Sequence, residues 1–144
     1  MNGIGERVVA EARRWLGTPY RHQSCARGVG CDCLGLVRGV WRAVAGDEPP
    51  GLPAYTPDWG EVGAREHVLD AAARHLLPVA RDRAGPGDLV VFRWRAGAVA
   101  KHLGILSAPD RFIHACERAG VVEVALIRHW AARIAGTFRF PDRT

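Results

Sequence analysis

Residues 30–45 read GCDCLGLVRGVWRAVA, and the organisation of the chain can be worked outward from them. Leu36, Val37, Val40, Trp41 and Val44 recur at the three- and four-residue spacing of one helical face. The stretch therefore predicts a helix from Asp32 or Cys33 to about Ala45, with those side chains inward. Asp32 is a good N-cap residue, because its carboxylate can accept the unpaired amide protons of the first turn. A helix that begins here holds the Cys33 thiol in that turn, where the positive end of the macrodipole favours a thiolate. The placement is expected to lower the thiol below its ordinary value of about 8.5, and the thiolate is the nucleophilic form. Gly35 leaves the turn bare on one side, which would let a substrate backbone approach. The competing reading is that Cys33 is a small buried hydrophobe, the common fate of a free cysteine.

On the N-terminal side, Ile4, Val8, Ala12 and Leu16 form a stripe that predicts a helix over 4–16. Gly17 is a plausible left-handed cap and Thr18-Pro19 prevents continuation. Tyr20 to Gly30 is polar and reads as a loop. On the C-terminal side, Gly46 to Trp59 holds four prolines and is a long connection. A third helix is expected from roughly Val62 to Leu77, burying Leu69, Ala72, Ala73 and Leu76. The period then changes. Gly85-Pro86-Gly87-Asp88 is a turn signal with Asp88 in a structural role, and short apolar runs follow at 89–92, 99–106, 112–116, 121–127 and 137–140. Helices first and strands second indicate an α+β domain over residues 1–144, its N-terminal helices packed on a C-terminal antiparallel sheet of about five strands.

A chain of 144 residues is the size of one domain, and its 48% apolar and 24% charged composition excludes a disordered or fibrous protein. No run approaches the roughly 18 apolar residues that span a bilayer, so no membrane insertion is expected. The first fourteen residues lack an apolar core of signal-peptide type, and the expectation is synthesis in the cytoplasm without a secretory signal. The net charge of +5 comes from 19 arginines and one lysine, Lys101. They are scattered from Arg7 to Arg143 with no dense tract, which argues against a nucleic-acid partner. Cysteines lie at 25, 31, 33 and 116. They offer no paired Cys-x-x-Cys knuckles, and a bridge across Cys31-x-Cys33 would be strained. A bridge from Cys25 to Cys31 stays open.

A cysteine nucleophile needs a base within hydrogen-bond reach and a group that orients the base. His22, His67, His75 and His129 fall in loops or helices with no strand partner. His102 and His114 stand on consecutive strands. A three-residue hairpin loop at 107–109 pairs 106 with 110, which sets His102 directly opposite His114 with both imidazoles on one face. One ring can take the thiol proton while the other fixes its tautomer. Cys116 shares the face of His114, so a zinc site of Cys33, Cys116, His102 and His114 is the alternative use of the same side chains.

Five blocks in order carry a family resemblance: Gly17-Thr18-Pro19-Tyr20, Asp32-Cys33-Leu34-Gly35-Leu36-Val37, Pro86-Gly87-Asp88-Leu89-Val90-Val91-Phe92, His102-Leu103-Gly104-Ile105 and Ile113-His114-Ala115. Together they resemble the NlpC-type cell-wall cysteine peptidases of the NlpC/p60 superfamily, and more narrowly the small ones encoded with phage tails and gene-transfer-agent tails. The resemblance implies a compact papain-like fold with Cys33 as nucleophile, His102 as general base, His114 as the orienting residue and no cofactor or metal. It implies hydrolysis of an amide in peptidoglycan stem peptides, between D-glutamate (through its γ-carboxyl) and diaminopimelate. It places Tyr20 and Asp32 beside the substrate, with Tyr20 either polarising the scissile carbonyl or packing between loop and helix. The family commonly has serine where this chain has Leu34, a departure expected to bear on the substrate groove. The implied partners are stem peptides and the tail-tip or baseplate proteins of a phage-like particle. Rival readings are a non-catalytic tail-tip subunit of the same fold, or an acyltransferase or lipid amidase with the same triad.

Overall fold

The computed structural model describes residues 3–49 and 66–142. Helix α1 runs Ile4–Arg14 and buries Val8, Val9 and Ala12. The helical stripe stops one turn short of expectation. Leu16 is exposed, and the buried residue at this end is Trp15, whose ring occupies the space a side chain at Gly39 would need. Gly17 adopts the expected left-handed conformation (φ 86°). The 20–30 segment is more than a loop, for it contains the antiparallel pair β1 (Cys25–Ala26) and β2 (Gly30–Cys31).

Helix α2 spans Cys33–Ala45 as expected, burying Leu36, Val37, Val40 and Trp41, with Val44 packed at the margin. Its cap is Asp32, which accepts the Gly35 amide. Helix α3 is His67–His75. The part of the predicted third helix over 62–65 lies outside the described residues, as does most of the proline-rich connection. Within α3 the inward residues are Val68 and Ala72, whereas Ala73 is exposed.

Strands β3 (Leu77–Pro78), β4 (Asp88–Arg93), β5 (Ala100–Ala108), β6 (Arg111–Cys116), β7 (Gly120–Ala125) and β8 (Ile134–Arg139) form one sheet in the order β3-β8-β4-β5-β6-β7. All pairings in it are antiparallel. The architecture is α+β, with six strands rather than about five, because two-residue β3 adds an edge that no run of apolar residues announces. A short helix α4, Arg128–Ala131, precedes β8. Asp88 is structural, as expected: it is buried at the head of β4 and accepts from Arg139 and the Gly85 amide.

Both faces of the sheet are covered, which is why β4 reads as an unbroken apolar run. Leu89, Val91, Leu103, Ile105 and Ile113 pack against α1, α2 and α3. Val90, Phe92, Leu106 and Phe112 form a second cluster on the opposite face, with Trp130 of α4 laid against them. The β5–β6 hairpin departs from the expected register. Leu106 pairs with Phe112 and Ala108 with Arg111, so the loop is only Pro109-Asp110 and Ser107 is the extra residue of a β-bulge. His102 and His114 are therefore not directly opposite. Continuing the register places His114 across from Gly104, diagonal to His102. The displacement is two residues, an even number, so both imidazoles still share a face.

Candidate active site

Cys33 is the first residue of α2 and reaches the sheet from the helical side. Its thiol points at the Lys101 carbonyl, 3.8 Å away. The backbone amides of Leu103, Leu34 and Cys33 also favour the anionic form of the sulfur. The sulfur thus lies against the backbone on either side of His102. His102 pairs with Phe92 and so stands on the other face of the sheet, among Phe92, Trp94 and Trp130. The two side chains come from opposite faces, and both line the cleft at this end of β5.

His102 Nε2 lies 2.8 Å from His114 Nδ1, with the rings nearly perpendicular. Gly104, on the same face, leaves room for the Phe112 and Phe92 rings, on which a Cβ there would press. His102, His114 and Cys33 all line one cleft of about 640 Å³, together with Tyr20, Asp32, His22, Lys101, Trp94, Trp130, Ala115, Cys116, Glu117 and Arg118. That volume is within the usual range for a ligand site.

The electrostatics run against one expectation. Burial pushes the Cys33 thiol up, to about 12, with the Asp32 carboxylate adding to the rise and the three backbone amides opposing it. The helix start does favour the thiolate, but displaced water costs more. Burial likewise pushes His102 down to about 3, with His114 contributing, and His114 down to about 4. The resting groups are therefore a neutral thiol and two neutral imidazoles. Charge on sulfur and ring becomes favourable only when both appear together and attract one another.

Asp32 is 2% exposed and committed to the backbone. One oxygen accepts from Gly35 (2.8 Å) and the other from the Gln23 amide (2.7 Å), with His22 Nδ1 3.7 Å from the latter. Tyr20 is half-buried beside Cys33. Burial, then the neighbouring Cys33 and Asp32, raise its phenol to about 12, so it remains a hydroxyl donor. Gly35 does not present a bare surface to substrate, since the Ser24 carbonyl fills the position of its missing Cβ. Leu34 does not enter the cleft either; it lines a separate cavity of about 70 Å³ between α2, α3 and the sheet. Cys116 reaches the cleft rim, but among the described residues no three His, Cys, Asp or Glu converge in a way that could hold a metal ion.

Sequence reading missed His22, Trp94 and Trp130. Trp94 is 47% exposed, and its ring centroid lies 4.5 Å from that of His102. Trp130 stacks at 5.7 Å from the same ring. An exposed tryptophan directly after an apolar strand is the one cue the sequence carries for the first; for Trp130 and His22 no spacing marks the role.

The sequence pattern of the NlpC/P60 family matches residues 17–139, and the chain belongs to that family. It is 30% identical over 119 residues to the murein DD-endopeptidase MepS/murein LD-carboxypeptidase of Escherichia coli K12, covering 83% of this chain and 53% of that protein. It is 29% identical over 139 residues to the gamma-DL-glutamyl hydrolase of Bacillus subtilis 168, covering 95% of this chain and 30% of that one. The chain thus spans about half the length of the first relative and under a third of the second. Among solved structures, the NlpC/p60 domain of the peptidoglycan hydrolase SagA superposes with a TM-score of 0.64 at 23% identity, over 97% of this chain and 100% of that one.

Proposed function

We propose that the chain is a cysteine peptidase that hydrolyses an amide of peptidoglycan stem peptides, with Cys33 as nucleophile, His102 as base and His114 orienting His102. The observation that carries this reading is the 2.8 Å His102–His114 bond inside the cleft that also holds the Cys33 thiol. With Nε2 engaged by His114, Nδ1 of His102 is the ring nitrogen left to take a proton. That assignment makes His102 the Nε2–H tautomer donating to His114 Nδ1. The thiol proton passes to Nδ1 as sulfur attacks the amide carbonyl. The bond to His114 becomes charge-assisted at that moment and stabilises the imidazolium. Amides at the start of α2, that of Cys33 among them, face the developing oxyanion. His102 returns the proton to the departing amine, and water then cleaves the thioester.

The name of one relative, a gamma-DL-glutamyl hydrolase, supports an amide at a glutamyl γ-carboxyl, as in the γ-D-glutamyl–diaminopimelate bond; the other, a murein DD-endopeptidase/LD-carboxypeptidase, supports murein as the substrate class but names different bonds in it. Stem peptides are rich in carboxylates, and Lys101 and Arg118 on the cleft wall suit them. Incubating the protein with peptidoglycan fragments should release new amines on diaminopimelate. Cys33→Ala should abolish that release while leaving the circular dichroism spectrum unchanged. Undiminished turnover by the variant would sink the mechanism, and product from acyl-lipid substrates alone would reassign the substrate. The motif resemblance to tail-encoded peptidases supports a further element of the proposal: the protein is made in the cytoplasm and carried to the wall at the tip of a phage-like tail. Co-purification with such a particle is the expected result; its recovery only as free cytosolic protein would count against carriage.

A further inference from the structure

Two cysteines outside the proposed chemistry face each other in the β1–β2 ladder. Cys25 and Cys31 are direct antiparallel partners. The backbone of Cys31 is turned away from β1, its amide donating to Pro19 and its carbonyl accepting from Arg21. The flanking bond runs instead from the Asp32 amide to Ser24. Cys25–Cys31 is therefore a non-hydrogen-bonded pair, the type in which facing Cα atoms approach to about 4.5 Å. Disulfides span Cα separations of about 4.4–6.8 Å, so the ladder already holds the pair within bridging range. Directly opposed residues also share a face, and both side chains pack into the core beneath α2.

The two are unequal in access. Cys31 is fully buried, whereas Cys25 is half-buried, with its sulfur 3.0 Å from the Arg42 guanidinium and 3.0 Å from the Gly35 carbonyl. All four cysteines are unbridged in the structure. From the ladder geometry we infer that Cys25 and Cys31 are an oxidisable pair that closes to a disulfide and leaves Cys33 free. The oxidant is a low-molecular-weight disulfide. The Cys25 thiolate attacks one of its sulfurs and expels one small thiol, forming a mixed disulfide. Cys31 then attacks the Cys25 sulfur and expels the second small thiol, so that two protein thiols are oxidised as one disulfide is reduced. Burial raises both cysteines, Cys31 to about 12, which makes the released thiolates costly and so favours the bridged form once made. The bridge would pin the segment whose Gln23 and Ser24 backbone holds Asp32, directly ahead of the proposed nucleophile.

The test is to equilibrate the folded, full chain with oxidised and reduced glutathione, quench with acid, alkylate under denaturing conditions and map tryptic peptides. Cleavage after Arg21, Arg27 and Arg38 isolates Cys25 in residues 22–27 from Cys31 and Cys33 in 28–38. The expected product joins these peptides through Cys31 and is lighter by two hydrogens, with Cys33 and Cys116 alkylated. Its Tm should exceed that of the reduced protein by several degrees, a gain absent in Cys25→Ser. A glutathione adduct persisting on Cys25, a principal linkage through Cys33 or Cys116, or a lower Tm in the bridged protein would overturn the inference.

Discussion

Asp32 and Cys33 are adjacent in sequence, the first a structural cap and the second the proposed nucleophile. Asp32 holds two backbone amides from a buried position, one in the first turn of α2 and one in the preceding segment. Asp32→Ala should cost about 2 kcal/mol, seen as a lowered midpoint in urea, because a cap and a second bond are lost together. Trp94 is the opposite case. Its indole is half-exposed, so Trp94→Ala should lower the urea midpoint less than Asp32→Ala does, yet under the proposed mechanism it should lower kcat/KM about tenfold by stripping the His102 imidazolium of an aromatic face. A loss confined to KM would assign Trp94 to substrate contact instead. The acid limb of kcat/KM should fall well below the ordinary histidine value of about 6.5, since burial pushes His102 down to about 3. Cys33, His102 and His114, which the structure brings to one cleft, could be singled out from sequence because a nucleophile, a base and its orienter are a chemically constrained set. Trp94, Trp130 and His22 could not, because their roles arise from side chains that meet only after folding.

At the scale of elements, one glycine decides whether two pieces fit. Gly35 lets Ser24, the residue before β1, press its carbonyl onto the first turn of α2. Gly35→Ala should cost about 1–3 kcal/mol and loosen the β1–β2 pair, read as faster hydrogen exchange at the Asp32 amide. The helical periods of α1 and α2 and the apolar run of β4 were readable, since each is a long pattern with one interpretation. The β5–β6 register was not. A three-residue loop and a two-residue turn with a bulge at Ser107 fit the same sequence, and only packing of Phe112 against Phe92 and Trp130 distinguishes them. The facing of the histidines survived the misjudged register because the error was even. The twin strands of 25–31 escaped notice because two residues are too few to show a period.

For the molecule as a whole, burying neutral titratable groups narrows the pH range of stability from both ends. His102 and His114 bind protons more readily when unfolded, so stability should fall as pH drops from about 6.5 toward 4, approaching 1.4 kcal/mol per pH unit for each proton. Cys31, Cys33 and Tyr20 release protons more readily when unfolded, so stability should fall again as pH rises from about 9 toward 12. Urea titrations across pH should show a plateau between these limits, and a protein equally stable at pH 4.5 and 7.5 would contradict the burial of the two rings. The α+β layering was legible from the order of helical and strand patterns; the covering of both sheet faces was not, because α4 is a single turn with no stripe. A proton retained on the Cys33 sulfur also governs how outside reagents find it. Haloacetamides and peroxides, which hunt for ready-made anions, should modify this thiol slowly at neutral pH, while an electrophile shaped to fill the groove would trigger its own capture.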